Sequence, residues 1–319
     1  YQAGPPNSFE YAFNNRIQEF VFSAGSGLTC INSEAGVEIC INTNCFELNG
    51  APYENGNITL EYVEIFSKGD MAVTNKATDG IQNDQYGILD SGGEFYTQAY
   101  ADDGTVLTLS ADCNGSSESA GFFNIASSLT GYFNENMTAW EGSINNNENL
   151  LWSSVLVDGE PAPVAVMCDS SIFVGGGLDP IAGGGVTQEG CGDLYVLEFN
   201  LGWANCDVFM NWYGYDFTTI YADIPNEYYG AGHVFIVYPE IPSGLVSLMW
   251  DTDVFQSYLN SIPVGIDVHV VLLLPFSDGS FRYAIKSEII EEDHEFVFSE
   301  SDLIIATEEE VIEIINELP

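Results

Sequence analysis

A period-two alternation of apolar and polar residues runs along most of this chain and confines it to β structure. In GNITLEYVEIF (56–66), Ile58, Leu60 and Tyr62 project to one side of an extended backbone. GEFYTQAYADDGTVLTLSAD (93–112) repeats the pattern around Asp102-Asp103-Gly104, a hairpin turn by composition. Gly, Asn, Asp and Ser interrupt such runs at about eight- to twelve-residue intervals, the spacing of a β-sandwich. No stretch of the first half carries a helical period. Strands resume at DLYVLEFNL (193–201), FTTIYADI (217–224) and HVFIVYPEI (233–241). IDVHVVLLLPFSDGSFRYAIKSEI (266–289) reads as a long hairpin with Asp278-Gly279 at its tip.

One helix is predicted, over 307–318. Thr307 is its N-cap and Glu310 completes a capping box. Val311, Ile314, Ile315 and Leu318 form its apolar stripe, and Glu308, Glu309 and Glu310 occupy the first turn, where the helix dipole favours them. Between the strand-rich halves lie VDGEPAPVAVM (157–167) and GGGLDPIAGGG (175–185), a Pro/Gly-rich connection. The expected fold is mainly β: two β-sandwich-like domains, 1–156 and 191–319, joined by a linker over 157–190, with a short C-terminal α-helix on the second.

Charge bounds the partners. Five basic residues face 48 acidic ones, a net charge of −43 on 319 residues. Area scaling gives roughly 13,000 Å² of surface, or roughly one excess negative charge per 300 Å². With a Debye length of about 8 Å in physiological saline and about 30 Å at 0.01 M, this self-repulsion is screened in salt and barely screened in dilute buffer. The chain thus reads as adapted to a salty, extracellular medium. Nucleic-acid binding is excluded, since phosphates require cations the chain lacks. The longest apolar run, VHVVLLLPF (268–276), is broken by Pro275 and falls short of the roughly 18 residues that span a bilayer. The opening YQAGPPNSFE is neither a signal peptide nor an anchor and reads as the lead-in of a matured chain.

Seven cysteines occur: Cys30, Cys40, Cys45, Cys113, Cys168, Cys191 and Cys206. No spacing among them fits zinc. Cys30 and Cys40 flank a turn and can face each other in a hairpin, and Cys168 and Cys191 bracket the Gly-rich connection. Buried free thiols are the competing reading.

Chemistry-bearing motifs are sparse. There is no HExxH, GxSxG, P-loop or dinucleotide fingerprint. His233 and His269 sit on apolar strands as structural histidines, and His294 follows Asp293 in an acidic, exposed loop. Acid pairs are too abundant to identify a glycosidase. No metal ligand set is assigned. Asp251–Asp253, Glu291–Asp293 and Ala101–Gly104 offer oxygens for weak Ca²⁺ binding, but none follows the EF-hand loop. Trp212, Tyr213, Tyr215, Tyr228 and Tyr229 lie near loops and are the candidate ligand-binding residues, with faces suited to stacking on sugars; capping of the sandwich core is the competing role. LGWANCDVF (201–209) concentrates Trp203, Asn205, Cys206, Asp207 and Phe209. Asn and Asp are turn and backbone-binding types, and Trp203 and Phe209 are apolar anchors. The stretch therefore reads as a buried corner after strand 193–201, structural and not catalytic.

Two stretches resemble exported surface proteins and lipoproteins of the Bacteroidetes. Glu64, Lys68, Asp70, Met71, Thr78, Ser91, Gly92, Gly93, Phe95 and Ala99 match a module similar to the ZU5 β-sandwich. LGWANCDVF resembles the G-W-x-N-C-D-R-F signature of the same proteins, followed by Phe255, Tyr258, Pro263 and Gly265; Val208 stands where that signature has Arg. The resemblance implies export, lipid attachment upstream of Tyr1 and a cell-surface location, and it carries no established activity. The expected function is a non-catalytic surface binding or structural module for a glycan or a surface protein. Membrane contact would come only through the upstream anchor, and no cofactor is expected. The alternative is a glycan-processing enzyme, or its accessory subunit, using paired carboxylates.

Overall fold

The computed structural model describes residues 8–113, 119–131, 133–145, 149–167, 194–251, 253–276 and 279–319. It is mainly β, with three short α-helices among the described residues: α1 (Ser8–Asn14), α2 (Lys68–Thr74) and α3 (Glu308–Asn316). The backbone of the fold is a seven-stranded sheet in the order Gln18–Ser23, Asn57–Ile65, Gln85–Tyr100, Gly202–Phe209, Thr138–Ile144, Leu150–Ser154, Asp79–Gln82. Its last strand also pairs with the start of Gln85–Tyr100, so five of the seven strands close a circuit. Leu89, Trp140, Leu150, Trp152 and Phe209 form one buried cluster within that circuit.

A five-stranded sheet, which includes Leu28–Asn32, Glu38–Asn42, Gly121–Ala126 and Leu194–Glu198, contributes to the same core as one face of the seven-stranded sheet. That core is aromatic: Tyr62, Phe95 and Phe123 stack at 5.4–6.3 Å between ring centroids. An eight-stranded sheet built from residues 221–306 forms the rest. Its central strand Asp267–Pro275 is buried on both faces: Val270, Leu272 and Leu274 enter one core, Val271 and Leu273 another. The second of these cores also receives α1, α2, α3 and the strand Asn57–Ile65.

Several expectations hold. Ile58, Leu60 and Tyr62 are buried together. The hairpin forms as Asp267–Pro275 against Phe281–Ile289; Asp278 of its tip lies outside the described residues. In α3, Thr307 accepts from Glu310 N and Glu310 accepts from Thr307 N, while Val311 and Ile315 are buried.

Other strands sit elsewhere. The turn at 102–104 forms, with Ala101 N donating to Thr105 O and Leu107 N to Ala99 O, but the hairpin is short: Gln85–Tyr100 is one long strand, and Thr108–Leu109 leaves it to pair with Phe46–Leu48. Leu194–Glu198 and Gly202–Phe209 pair with Gly121–Ala126, Thr138–Ile144 and Gln85–Tyr100, so strands on both sides of the expected linker 157–190 share the first two sheets. LGWANCDVF is therefore a central strand and not a corner. Its register shifts between Asn205 and Asp207, where a β-bulge absorbs the irregularity.

α1 and α2 interrupt the half predicted to lack helices. Ser67 caps α2, its Oγ accepting from Asp70 N at 3.1 Å, and Asn75 ends it in the left-handed region at φ 53°. Arg16 joins all three helices: it pairs with Asp70 and with Glu308 at 2.7 Å each and donates to Ala12 O. Gly69 is required because a Cβ there would lie 2.5 Å from Ile312 O, where α2 crosses α3.

Two disulfides are present among the described residues. Cys30–Cys40 joins directly opposed residues of the hairpin, as the turn between them predicts, and Cys45–Cys113 closes a separation of 68 residues. Cys206 is a buried free thiol, and Cys168 and Cys191 lie outside the described residues.

Candidate functional site

Alternation along Gly202–Phe209 builds the site. Ala204 and Cys206 enter the aromatic core, while Trp203, Asn205, Asp207 and Phe209 take the opposite face. On the neighbouring strand, Tyr96 lies directly opposite Trp203, Glu94 opposite Asn205 and Ser91 opposite Asp207. One strand pair thus presents an aromatic row, an acid–amide row and a second polar row in succession.

The aromatic row floors an open cleft of about 530 Å³. α1 supplies Phe9, Glu10 and Phe13; the end of α2 supplies Thr74, Asn75 and Lys76; Tyr96, Ile144, Trp203 and His233 complete it. The rings brace one another. Tyr96 and Trp203 lie 5.2 Å apart, Phe13 sits 5.6–5.7 Å from both, and Phe9 meets His233 edge-on at 4.7 Å. Lys76 Nζ lies 5.5 Å from the Phe13 centroid and 5.7 Å from that of Trp203, and donates to the carbonyls of Thr74 and Asn75 at 3.3 and 3.4 Å. A cation suits the C-terminal end of α2, where carbonyls lack helical partners. Burial pulls the His233 imidazole down to about 4, so the ring is neutral at physiological pH.

Beyond the aromatic row the carboxyls are enclosed. Glu94 and Asp207 are fully buried. Asn205 Nδ2 donates to Asp207 Oδ2 at 2.6 Å and Ser91 Oγ donates to Asn205 Oδ1 at 3.0 Å, whereas Asp207 Oδ1 and both Glu94 oxygens have no hydrogen-bond partner. Burial, and after it the neighbouring Asp207, push the Glu94 carboxyl well above the usual range. Burial does the same to Asp207 and to the Cys206 thiol. Asp79 accepts from Ser247 N and Oγ at 2.7 and 2.8 Å, and burial raises it to about 7. Asp90 accepts from Ser243 Oγ at 3.1 Å. These acids form an acid–hydroxyl seam between the seven- and eight-stranded sheets, closed to a substrate.

The aromatics singled out from sequence do not converge. Trp212 meets Tyr215 at 5.6 Å and Tyr238 at 6.2 Å, beyond the end of strand His233–Val237, and Tyr213 projects into solvent at 87% exposure. Tyr228 and Tyr229 precede that strand. Tyr228 receives Arg282 and donates to Glu300, and Tyr229 donates to Asp223 while lying 4.8 Å from Trp250. Their hydroxyls and rings are occupied within the fold. His294 is not a free loop residue: it stacks on Phe296 at 4.4 Å and contacts Glu288 at 3.1 Å.

The acidic stretches are engaged locally. Asp102 accepts from Asn57 N and Nδ2, Asp103 from Thr105 N, and Asp251 from Gln256 Nε2. Among the described residues, the one set of three potential metal ligands is Cys30, Glu38 and Cys40, and its two sulfurs are joined to each other.

Of the cleft residues, sequence reasoning singled out Trp203 as part of the motif and His233 as structural. Its other walls come from separate segments that only the fold assembles. The residues carrying the family resemblance have structural roles: Asp70 bonds Arg16, Lys68 Nζ donates to Tyr238 O, Thr78 bonds Leu245, and a Cβ at Gly93 would meet Phe66 and Phe95. Comparison with known protein families and with characterised proteins returns no match for this chain.

Proposed function

We propose that this chain is a non-catalytic, exported binding module of the cell surface whose aromatic cleft receives a sugar. The observation that carries the reading is the cleft itself: the half-buried Phe13, Tyr96 and Trp203 line it with apolar rings, and Glu10, Asn75 and Lys76 also line it. Sugars present just such a pairing, C–H faces that stack on rings and hydroxyls that need partners. A volume of about 530 Å³ suits a ligand of one or two rings. Among the described residues, Glu10 is the one carboxylate lining the cleft, whereas hydrolysis of a glycosidic bond uses two. That favours binding over turnover. Two disulfides fit an oxidising compartment, and among the described residues no helix is long and apolar enough to cross a membrane. Attachment through a lipid upstream of Tyr1 is part of the same proposal.

A glycan array on the purified protein tests the reading, with reducing-end release measured on every hit. Binding without product is expected, and Phe13→Ala, which strips one wall from the cleft, weakens it about tenfold with the thermal midpoint little changed. A silent array or release of product overturns the proposal.

A further inference from the structure

Among the described residues, three buried carboxylate oxygens lack a hydrogen-bond partner, and the sugar-binding reading does not account for them. They are Oε1 and Oε2 of Glu94 and Oδ1 of Asp207, on two residues with no exposed surface. The β-bulge brings these acids to one face. Glu94 stands opposite Asn205 and Ser91 opposite Asp207, which leaves Gly92 and Gly93 facing Cys206 alone. The extra residue turns Ser91 and Glu94, three apart in sequence, toward the side that Asn205 and Asp207 share. Glycine is needed there: a Cβ on Gly92 would lie 2.8 Å from Cys206 O, and Gly93 has φ +126°. The polar groups beside the two acids are engaged. Asn205 donates to Asp207 Oδ2 and accepts from Ser91 Oγ, Ser91 Oγ accepts from Gly93 N at 3.1 Å, and Trp152 Nε1 donates to Ala77 O at 3.0 Å. Of the charged groups acting on Glu94, Asp207 and Asp79 oppose its ionisation and Lys76 favours it; Asp90 opposes that of Asp207. The atoms left over are all acceptors, which call for a donor or a cation. One proton shared between the acids reaches two of the three oxygens, whereas a cation can touch all three.

We propose that Glu94 and Asp207 form a structural calcium site, Glu94 presenting both oxygens and Asp207 its Oδ1. The donors are all carboxylate oxygens, and the Cys206 sulfur enters the aromatic core on the opposite face, so the set suits a hard cation. Two open oxygens on one carboxylate fit the bidentate grip that Ca²⁺ accepts, whereas Mg²⁺ holds several of its waters and fits an enclosed seam poorly. Ca²⁺ takes about six to eight oxygens, so backbone carbonyls or water carried in with the ion complete the shell. Its two charges balance the two carboxylates and let both stay ionised where burial alone disfavours them. The site is distinct from the exposed acidic stretches at 101–104, 251–253 and 291–293, and it stands or falls independently of the sugar-binding cleft.

Because the seam is closed, the ion enters as the chain folds, and refolding is the test. The intact protein is unfolded in urea with a chelator, then refolded with or without Ca²⁺ in about 0.15 M salt, with excess Mg²⁺ to fill weak surface sites. The calcium-refolded protein is expected to retain one Ca²⁺ per chain through gel filtration and to melt several degrees above the metal-free form. Glu94→Gln and Asp207→Asn should melt alike with and without Ca²⁺, while Asp251→Asn, in an exposed acidic stretch, should keep the full rise. Hydrogen exchange on the intact protein locates the ion even where a variant fails to refold: Ca²⁺ should slow exchange at 89–95 and 203–209 and leave 251–253 unchanged. No calcium-dependent rise in the melting midpoint of the intact protein overturns the site. A rise that persists in both Glu94→Gln and Asp207→Asn, or protection confined to other segments, overturns its place.

Discussion

The two faces of the seven-stranded sheet are buried by unlike means. Toward the five-stranded sheet, Tyr62, Phe95, Ala204 and Cys206 meet Phe123, Tyr195 and Phe199 in a dry aromatic core that includes the Cys45–Cys113 disulfide, while Cys30–Cys40 ties two strands of the five-stranded sheet. On the opposite face Glu94, Asn205, Asp207 and Ser91 follow the aromatic row, and Asp79 and Asp90 reach hydroxyls of the eight-stranded sheet. Two adjacent residues, Cys206 and Asp207, face these different worlds. The dry face is stabilised by burial and covalent closure, which titration does not touch. On the polar face, burial disfavours the charged forms of Glu94, Asp207 and Asp79.

That contrast can be broken most forcefully at the disulfides. Closing 68 residues removes more unfolded-chain entropy than closing ten, so Cys45→Ala/Cys113→Ala should cost about 4 kcal/mol and Cys30→Ala/Cys40→Ala about 3 kcal/mol in urea unfolding. An inverted order would mean that geometry, and not chain closure, decides what the dry side gains.

The polar face is sharpened by pH. The folded state holds the Asp79 proton more tightly than the unfolded chain, since burial raises it to about 7. Its contribution is therefore complete below about pH 4 and declines as pH rises through about 7, by on the order of 4 kcal/mol in all. Asp79→Asn keeps an acceptor for Ser247 and should lose this slope, becoming the more stable protein in alkaline buffer. Identical stability–pH curves for the two proteins would remove Asp79 from the account.

The smallest effect divides one strand. Asp207→Ala leaves Asn205 Nδ2 buried without its acceptor and should cost about 2 kcal/mol. Cys206→Ala, on the dry face, removes one sulfur and should cost about 1 kcal/mol. Thermal or urea unfolding of the two variants measures the difference directly.

Much of this was legible in the sequence, though unevenly. Alternation identified the strands, the capping box identified α3, and the turn between Cys30 and Cys40 pointed to their bond. Alternation tells which face a residue takes but not which strand it meets, so nothing local announced that Gly202–Phe209 would enter a sheet begun at Gln18. In LGWANCDVF, Asn and Asp suggested a turn by type, whereas Trp203, Asn205, Asp207 and Phe209 at every second position already spelled a strand. α1 and α2, seven residues each, are too short for a helical period to emerge, although Ser67 and Asp70 carry a cap signal. The cleft was illegible for a related reason. Phe9, Lys76, Tyr96, Trp203 and His233 come from distant stretches, and the loop aromatics that drew attention lie elsewhere, Tyr228 and Tyr229 bonded within the fold and Tyr213 in solvent.

The placement of Gly202–Phe209 between Gln85–Tyr100 and Thr138–Ile144 has a consequence for how the protein is made. Until residue 209 has left the ribosome, both flanking strands expose unsatisfied edges, and the early sheet cannot be completed. Such late, distant pairing is slow, and open edges invite association with other chains. The strands that precede Gly202–Phe209 therefore keep open edges until it inserts, and pairing with another copy competes with completion of the sheet.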